Sequence, residues 1–337
     1  MHEKYLKRCF ELARLGETLA SPNPIVGCVI VHNGEIIAEG FHRAYGEAHA
    51  EVNAIKNVTL PCFERDCYIY VSLEPCAHHG KTPPCADLII KHGFKKLIFS
   101  SYDPNPEVSG KGIARIKAAG IKIVTPDDIE TKLKDESDYL NRKFFKSTTK
   151  QEAWTTLKIA LSTEGSMLSE NKWITNSESR KEVHRLRSTN DLIVSGANSI
   201  RLDNSKLNVR YSPEELGLKD IKDPDICILY REEELNQDCE LFKIKLARKI
   251  FQTKDLAEVF NSGYKRILVE TGPSLSKEFL NKGLIDEVII YQSLKSDIVN
   301  QDWQKELEDK GFYLFKSEVI ESKNEIPDIK EVWLASS

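Results

Sequence analysis

Residues 49–55 read HAEVNAI, and residues 74–85 read EPCAHHGKTPPC. The first stretch sets an imidazole, His49, two positions ahead of a carboxylate, Glu51. The second sets two thiols, Cys76 and Cys85, with eight residues between them. One nitrogen and two sulfurs suit Zn2+, and a catalytic zinc site keeps a fourth corner open for water. Glu51 would then not ligate. It would carry a proton from water to a leaving amine, while the metal brings the pKa of water from 15.7 to about 7. On a regular helix, residues i and i+2 point roughly 200° apart, so His49 and Glu51 converge only where a helix begins. The preceding Tyr45-Gly46-Glu47-Ala48 reads as a loop arriving there, and a helix start also favours thiolate at Cys76 and Cys85. A structural zinc site competes with this reading, with His78 or His79 closing the shell as a fourth ligand.

The text around these motifs alternates helix and strand patterns. Leu6, Cys9, Phe10 and Ala13 fall at helical spacing within residues 3–16. IVGCVIVH, Asn33-Gly34 and EIIAEGF form a hairpin with a type I′ turn signal. Strand runs follow at CYIYVSL (67–73) and KKLIFSS (95–101), with helices after Cys85 and over GKGIARIKAAG, before a strand at IKIV. A hairpin followed by α/β units implies a three-layer α/β/α domain around a mixed sheet. Residues 127–150 are highly charged and read as a helix and linker, giving domains of 1–147 and 148–337. A second α/β pattern runs from TLKIALS through a helix over 177–188 to strands at DLIVSGA, DICILY, KRILVE and DEVIIYQ. The tail beyond about residue 295 carries no clear pattern.

Composition narrows the class. A chain of 337 residues, 40% apolar and 30% charged, is a globular protein of about two domains. A net charge of −4 gives no basic footprint for nucleic acid. No run of eighteen apolar residues suggests a membrane span, and the charged N-terminus lacks a signal-peptide core, so the chain reads as cytoplasmic. In a reducing compartment eight cysteines are not a disulfide framework. Cys9, Cys28, Cys67, Cys227 and Cys239 read as small core hydrophobes. Six of the eight cysteines and seven of the eight histidines lie within the first 92 residues, which puts any metal site in the N-terminal half.

The order H-x-E, strand, Pro-Cys on a loop, then Pro-Cys opening a helix is the order a zinc deaminase needs, although the general C-x-x-C spacing is lengthened here. SPNPIVGCVIV (21–31), HRAYGEAHAEVNAI (42–55), EPCAHHGKTPPC (74–85) and DPNPEVSGKGI (103–113) resemble the bifunctional deaminase–reductase family of riboflavin biosynthesis, in which the stretch between the cysteines is lengthened in this way. The resemblance covers residues 5–145. It implies a cytidine-deaminase-like fold, with His49, Cys76 and Cys85 on zinc and Glu51 as proton carrier. Asn23, His42, Lys81, Asp103 and Asn105 then fall on substrate-binding loops. Asn23 also reads as a plain Pro-Asn-Pro turn, and His42 and Lys81, offered as phosphate contacts, also read as solvated loop charges. His78 and His79 read as pocket walls.

The second half has no G-x-G-x-x-G fingerprint, but LVETGPSLSKEFL (268–280) is a strand, a tight turn and a helix start suited to a phosphate. With TLKIALSTEGSM (156–167) and residues 172–210, it resembles the family's reductase half, a dihydrofolate-reductase-like α/β fold. That resemblance implies NADPH contacts at Ala160, Trp173, Ser199, Asp203 and Gly272. It implies substrate contacts at Arg187, Leu207, Arg210 and Glu270, an arginine fork suiting phosphate. Lys158 is a candidate at the reducing centre, or an edge-strand charge. The pattern is departed from at Ser162-Thr163-Glu164-Gly165, at Thr271, and at Asp203-Asn204-Ser205-Lys206-Leu207, where the family's D-x-P-x-L proline is missing.

The resemblance therefore implies two consecutive steps on a phosphoribosyl-pyrimidine: hydrolytic deamination, then reduction of the ribosyl group by NADPH. Three competitors stand beside it. A nucleic-acid deaminase calls for a basic tract. A deaminase with a degenerate second domain, and a zinc-stabilised interaction module without activity, are the others. The sequence leaves a homo-oligomer open.

Overall fold

A computed structural model describes residues 2–58, 66–77, 83–106, 108–167, 173–244, 247–294, 301–323 and 325–336. The chain forms two compact units, Met1–Glu152 with Gly217–Asp220, and Ala153–Leu216 with Ile221–Ser337.

In the first unit the elements run α1 (Glu3–Leu15), β1 (Gly27–His32), β2 (Glu35–Phe41), α2 (Ala50–Lys56), β3 (Tyr68–Val71), α3 (Cys85–Lys91), β4 (Lys96–Phe99), α4 (Lys111–Ala118), β5 (Lys122–Val124), α5 (Thr131–Leu140) and α6 (Arg142–Thr149). Asn33 and Gly34 both take positive φ, 49° and 82°, as the type I′ turn between β1 and β2 requires. The five strands lie in the order β2-β1-β3-β4-β5, with β1 antiparallel to β2 and β3, and β3, β4 and β5 parallel. The pleat sends alternate residues of β1 to opposite faces. Val29 and Val31 pack with Leu6, Cys9 and Phe10 of α1 and Leu133 of α5. Cys28 and Ile30 pack with Ala50 and Ala54 of α2, Ala86 and Ile89 of α3, and Ile116 of α4. These are the three layers expected, around a mixed sheet.

The second unit contains β6 (Trp154–Leu161), α7 (Ser177–Ser188), β7 (Leu192–Gly196), α8 (Ala197–Asp203), β8 (Asp225–Leu229), α9 (Glu240–Lys243), β9 (Ile250–Thr253), α10 (Leu256–Asn261), β10 (Arg266–Glu270), α11 (Pro273–Asn281), β11 (Glu287–Ser293), α12 (Gln301–Asp309), β12 (Phe312–Ile320) and β13 (Asp328–Ala335). The sheet order is β12-β13-β11-β6-β10-β7-β8-β9. Six strands are parallel and the β12–β13 hairpin closes one edge in antiparallel pairing. One face, with Leu157, Ile159, Val194 and Val269, packs under α10, α11 and α12 through Val259, Phe279 and Leu307. The other carries Ile193, Ile226 and Leu268 against Ile200 of α8, with Leu186 of α7 packed alongside. The tail that carried no pattern in the sequence thus supplies a helix and two strands.

Of the cysteines expected in the core, Cys9, Cys28, Cys67 and Cys227 are buried, whereas Cys239 is only half-buried, at the N-cap of α9. Among the described residues no helix is long and apolar enough to cross a membrane.

Candidate metal centre and reductase cleft

His49 is the N-cap of α2, with extended backbone (φ −70°, ψ 164°), and Glu51 lies in the first turn. That bend at the helix start brings side chains two positions apart to the same pocket. Pro84 caps α3 and Cys85 is its first residue. The Cys85 N–H donates to Cys76 Sγ at 3.4 Å. His49 Nδ1 lies 3.6 Å from Cys76 Sγ and 3.4 Å from Cys85 Sγ. All three ligand atoms fall within 4.8 Å of one another.

Zinc fits this donor set. A tetrahedral ion about 2.3 Å from sulfur and about 2.0 Å from nitrogen separates its ligand atoms by roughly 3.5 Å, which is the spacing found. The cluster contains three ligands among the described residues, and Glu51 is not one of them. The Cys85 thiol hydrogen-bonds Cys76 and, against the cost of burial, it and the His49 imidazole bring the Cys76 thiol down to about 4. The same contact with Cys76 raises His49. Burial pushes the Glu51 carboxyl above its ordinary value, with the Cys76 thiolate adding to the effect. A more basic carboxyl beside a water site is suited to taking up a proton.

Around this centre, Asn23 Nδ2 donates to His42 Nε2 at 3.1 Å, and His42 Nδ1–H donates to the Ala48 carbonyl at 3.1 Å. The His42 ring stands edge-on to His49, centroids 5.4 Å apart. Burial holds His42 below its ordinary value. Buried and with both nitrogens engaged, His42 is not a solvated loop charge. Asp103 is buried, and its Oδ1 accepts the Asn105 N–H at 2.9 Å. Lys81, His78 and His79 lie outside the described residues.

In the second unit, Lys158 on β6 and Glu270 on β10 stand directly opposite each other in the parallel register. Lys158 Nζ is 3.7 Å from Glu270 Oε2, so the lysine is in mid-sheet and not on an edge strand. Arg187, in the last turn of α7, grips Glu270 through two bonds, and its Nη1 donates to the Asn208 carbonyl at 3.2 Å. The phosphate-binding fork expected of Arg187 is therefore already committed. Arg210 is exposed and donates to His184 Nε2 at 3.0 Å. Leu207 packs its side chain into the core, so that side chain is not available to a substrate. Gly272 caps α11, and its N–H donates to Ser199 Oγ at 3.1 Å. A Cβ on Gly272 would sit 3.3 Å from that oxygen, so glycine lets Ser199 come this close to the helix start. Ala160 lies on β6 opposite Tyr291, Asp203 is exposed at the end of α8, and Trp173 is exposed with Arg180 5.1 Å over its ring.

The comparisons with known proteins divide the chain at the same two units. Residues 1–101 match the cytidine and deoxycytidylate deaminase zinc-binding region, and residues 153–293 match the RibD C-terminal domain. The riboflavin biosynthesis protein RibD of Buchnera aphidicola subsp. Baizongia pistaciae is 34% identical over 327 residues, 85% of each chain. This chain belongs to the RibD family. The Escherichia coli RibD is 32% identical over 332 residues, 86% of each chain. A crystal structure from Thermotoga maritima, of a diaminohydroxyphosphoribosylaminopyrimidine deaminase/5-amino-6-(5-phosphoribosylamino)uracil reductase, superposes with a TM-score of 0.79, at 28% identity and 99% of each chain. The chain is thus a deaminase–reductase of riboflavin biosynthesis, with a cytidine-deaminase-like domain and a RibD-type reductase domain.

Two residues of this RibD-family site escaped the sequence reading. Glu74 is buried and accepts the Gly110 N–H at 2.7 Å and the Asp103 N–H at 3.4 Å, tying the Cys76 loop to the Asp103–Asn105 loop. An acid directly before Pro-Cys was its only signal. His184 is buried beneath Arg210, and burial with Arg187 and Arg210 beside it drives its pKa down to about 3. In HRLR it looks like one more charge on a helix.

Proposed function

We propose that the first unit hydrolytically deaminates 2,5-diamino-6-(5-phosphoribosylamino)pyrimidin-4(3H)-one and that the second reduces the ribosyl group of the product to ribityl with NADPH. The observation that carries the first step is the His49, Cys76, Cys85 cluster with a non-ligating, buried Glu51 beside it. Zinc held there would make a water acidic enough to serve as hydroxide at neutral pH. Glu51 takes the proton of the attacking water and returns it to the amino nitrogen, so that a C–O bond forms, the C–N bond breaks and ammonia departs. Asn23, Asp103 and Asn105 would meet the polar edge of the ring, and Lys81 the substrate phosphate.

In the second unit NADPH supplies the hydride. Ser199 and the start of α11 at Gly272 would hold its phosphates, and Ala160, Trp173 and Asp203 would contact the rest of the cofactor. Lys158 would give a ribose oxygen its proton, and burial lowers its ammonium pKa. Arg187 spends three N–H donors on Glu270 and Asn208 and Arg210 one on His184, so Arg210 keeps more donors for the substrate phosphate. The thiolate ligands suit a reducing cytoplasm, and a net charge of −4 gives nucleic acid no purchase.

The test is to supply the phosphorylated diaminopyrimidine with and without NADPH. Ammonia and the near-ultraviolet absorbance of NADPH are followed separately. Ammonia release independent of NADPH, followed by NADPH oxidation that requires the deaminated product, is the expected outcome. Ammonia release with no NADPH oxidation would leave a deaminase carrying an inactive second unit.

A further inference from the structure

The segment after α8 reads DNSKLNVR from Asp203 to Arg210. Asn204 and Leu207 both take left-handed backbone, with φ of 47° and 46°. An asparagine tolerates this, whereas a leucine meets its own Cβ against the following carbonyl. Such a conformation persists only where the surroundings over-determine it.

Here the surroundings are arginines. Arg248, just ahead of β9, donates from Nη1 to the Leu207 carbonyl at 2.6 Å and from Nη2 to the Lys206 carbonyl at 2.8 Å. Arg187 takes the next carbonyl, that of Asn208. Three successive carbonyls thus end on guanidinium groups. The neighbouring anchors are weaker in number: Val209 N–H donates to Asp223 at 2.7 Å, and Asn204 Oδ1 accepts from Glu240 N–H at 3.1 Å. A planar fork spans two adjacent carbonyls, which the point charge of a lysine cannot do.

We infer that Arg248 is a positioning residue of the reductase: its two-pronged grip fixes the Asp203–Arg210 loop, and so sets Asp203 and Arg210 towards cofactor and phosphorylated substrate. The inference rests on reading the second unit as an NADPH-dependent reductase. Arg248 acts through the backbone of that loop. Its carbonyl partners lie on the segment that joins α8 to Arg210, and Arg210 is in turn met by His184.

The experiment uses the full chain with Arg248→Ala and Arg248→Lys. Amide hydrogen exchange is read without ligands, and reductase KM and kcat are read with NADPH and the deaminated substrate. In Arg248→Ala, exchange over residues 203–210 should rise about tenfold, as expected for losing hydrogen bonds to a charged donor, while β7 exchanges as before. KM for NADPH and substrate should rise about tenfold with kcat changed less than about threefold. Millimolar guanidinium ion should restore KM in the alanine variant and leave the wild type unchanged, and Arg248→Lys should fall between the two. Unchanged loop exchange would overturn the inference. So would exchange that rises equally in β7, or a loss in kcat at constant KM. Should the wild-type chain oxidise no NADPH, the reductase reading fails while the exchange result still decides what Arg248 holds.

Discussion

Arg187 and Glu270 form a two-bond ion pair at the C-terminal end of β10, 2.7 Å from Nε to Oε1 and 2.9 Å from Nη2 to Oε2. Both side chains are nearly buried, at 12% and 6% exposure, so removing one partner leaves the other charged in a poor solvent. Arg187→Ala should therefore destabilise the second unit by about 3 kcal/mol, the lower end for breaking a buried pair, because Lys158 remains beside the carboxylate. The double variant Arg187→Met/Glu270→Gln should recover more than half of that. All four tryptophans, Trp154, Trp173, Trp303 and Trp333, lie in this unit. Urea unfolding followed by tryptophan fluorescence reads it selectively. Equal destabilisation in single and double variants would mean the charge pairing is not what matters.

The same pair sets an acid limit. Burial pushes the Glu270 carboxyl up, but the Arg187 guanidinium and the Lys158 ammonium outweigh it and hold it at about 2, below the ordinary 4.5. Asp191 is held below its ordinary value as well, burial being outweighed by Arg266 and Lys222. A carboxyl with depressed folded-state pKa contributes stability that is complete above its unfolded value. That contribution is lost as pH falls through the folded one. Fluorescence-detected stability of the second unit should accordingly decline between pH 4.5 and about 2. Glu270→Gln should show a shallower decline across that window than the wild type. Parallel slopes would place the acid sensitivity elsewhere.

What the sequence disclosed followed from local signals. Asn33-Gly34 marked a hairpin because only such residues take its positive φ values, and His49-x-Glu51 demanded a helix start because a continued helix would part them. Arg187 and Glu270 stand 83 positions apart, and nothing in either neighbourhood reports the other. The sequence therefore offers Arg187 as a substrate contact without its carboxylate partner, and His42 as a phosphate contact or a solvated loop charge without its burial. The β12–β13 hairpin was hidden for a different reason. As the edge strand, β12 buries only Phe312 and Ile320, at its two ends, so no period-2 pattern was there to find.

Gly40 connects the fold to the metal centre. A Cβ there would stand 2.3 Å from the Ala54 nitrogen and 2.5 Å from the Ala50 carbonyl oxygen, both backbone atoms of α2. Only glycine lets α2 lie this close to β2, and α2 carries His49 at its cap and Glu51 in its first turn. Gly40→Ala should displace the helix, with an overpacking cost of about 1–3 kcal/mol. A displacement of even an ångström can cost about a hundredfold in rate. Ammonia release should fall by that order and bound zinc should drop below one per chain, while NADPH oxidation of supplied intermediate is retained. Full metal content with normal ammonia release would show that α2 can shift without consequence.

Glu51 and Cys85 separate the two roles within the centre. Cys85 supplies a ligand atom to the three-membered cluster, whereas Glu51 does not. Cys85→Ser should therefore lose both zinc and ammonia release. Glu51→Gln keeps the shape of the side chain but cannot take up a proton, so it should retain one zinc per chain and lose ammonia release by about 10²–10⁴-fold. Chelation of the wild type should abolish ammonia release reversibly and spare NADPH oxidation, because Lys158 and Arg210, the residues proposed to serve the reduction, do not belong to the metal cluster. Zinc by atomic absorption and ammonia by a coupled assay give the two readings independently. If Glu51→Gln released ammonia at the wild-type rate with its zinc in place, the proton carrier would be another group. The buried carboxyl at the start of α2 would then be a packing residue only.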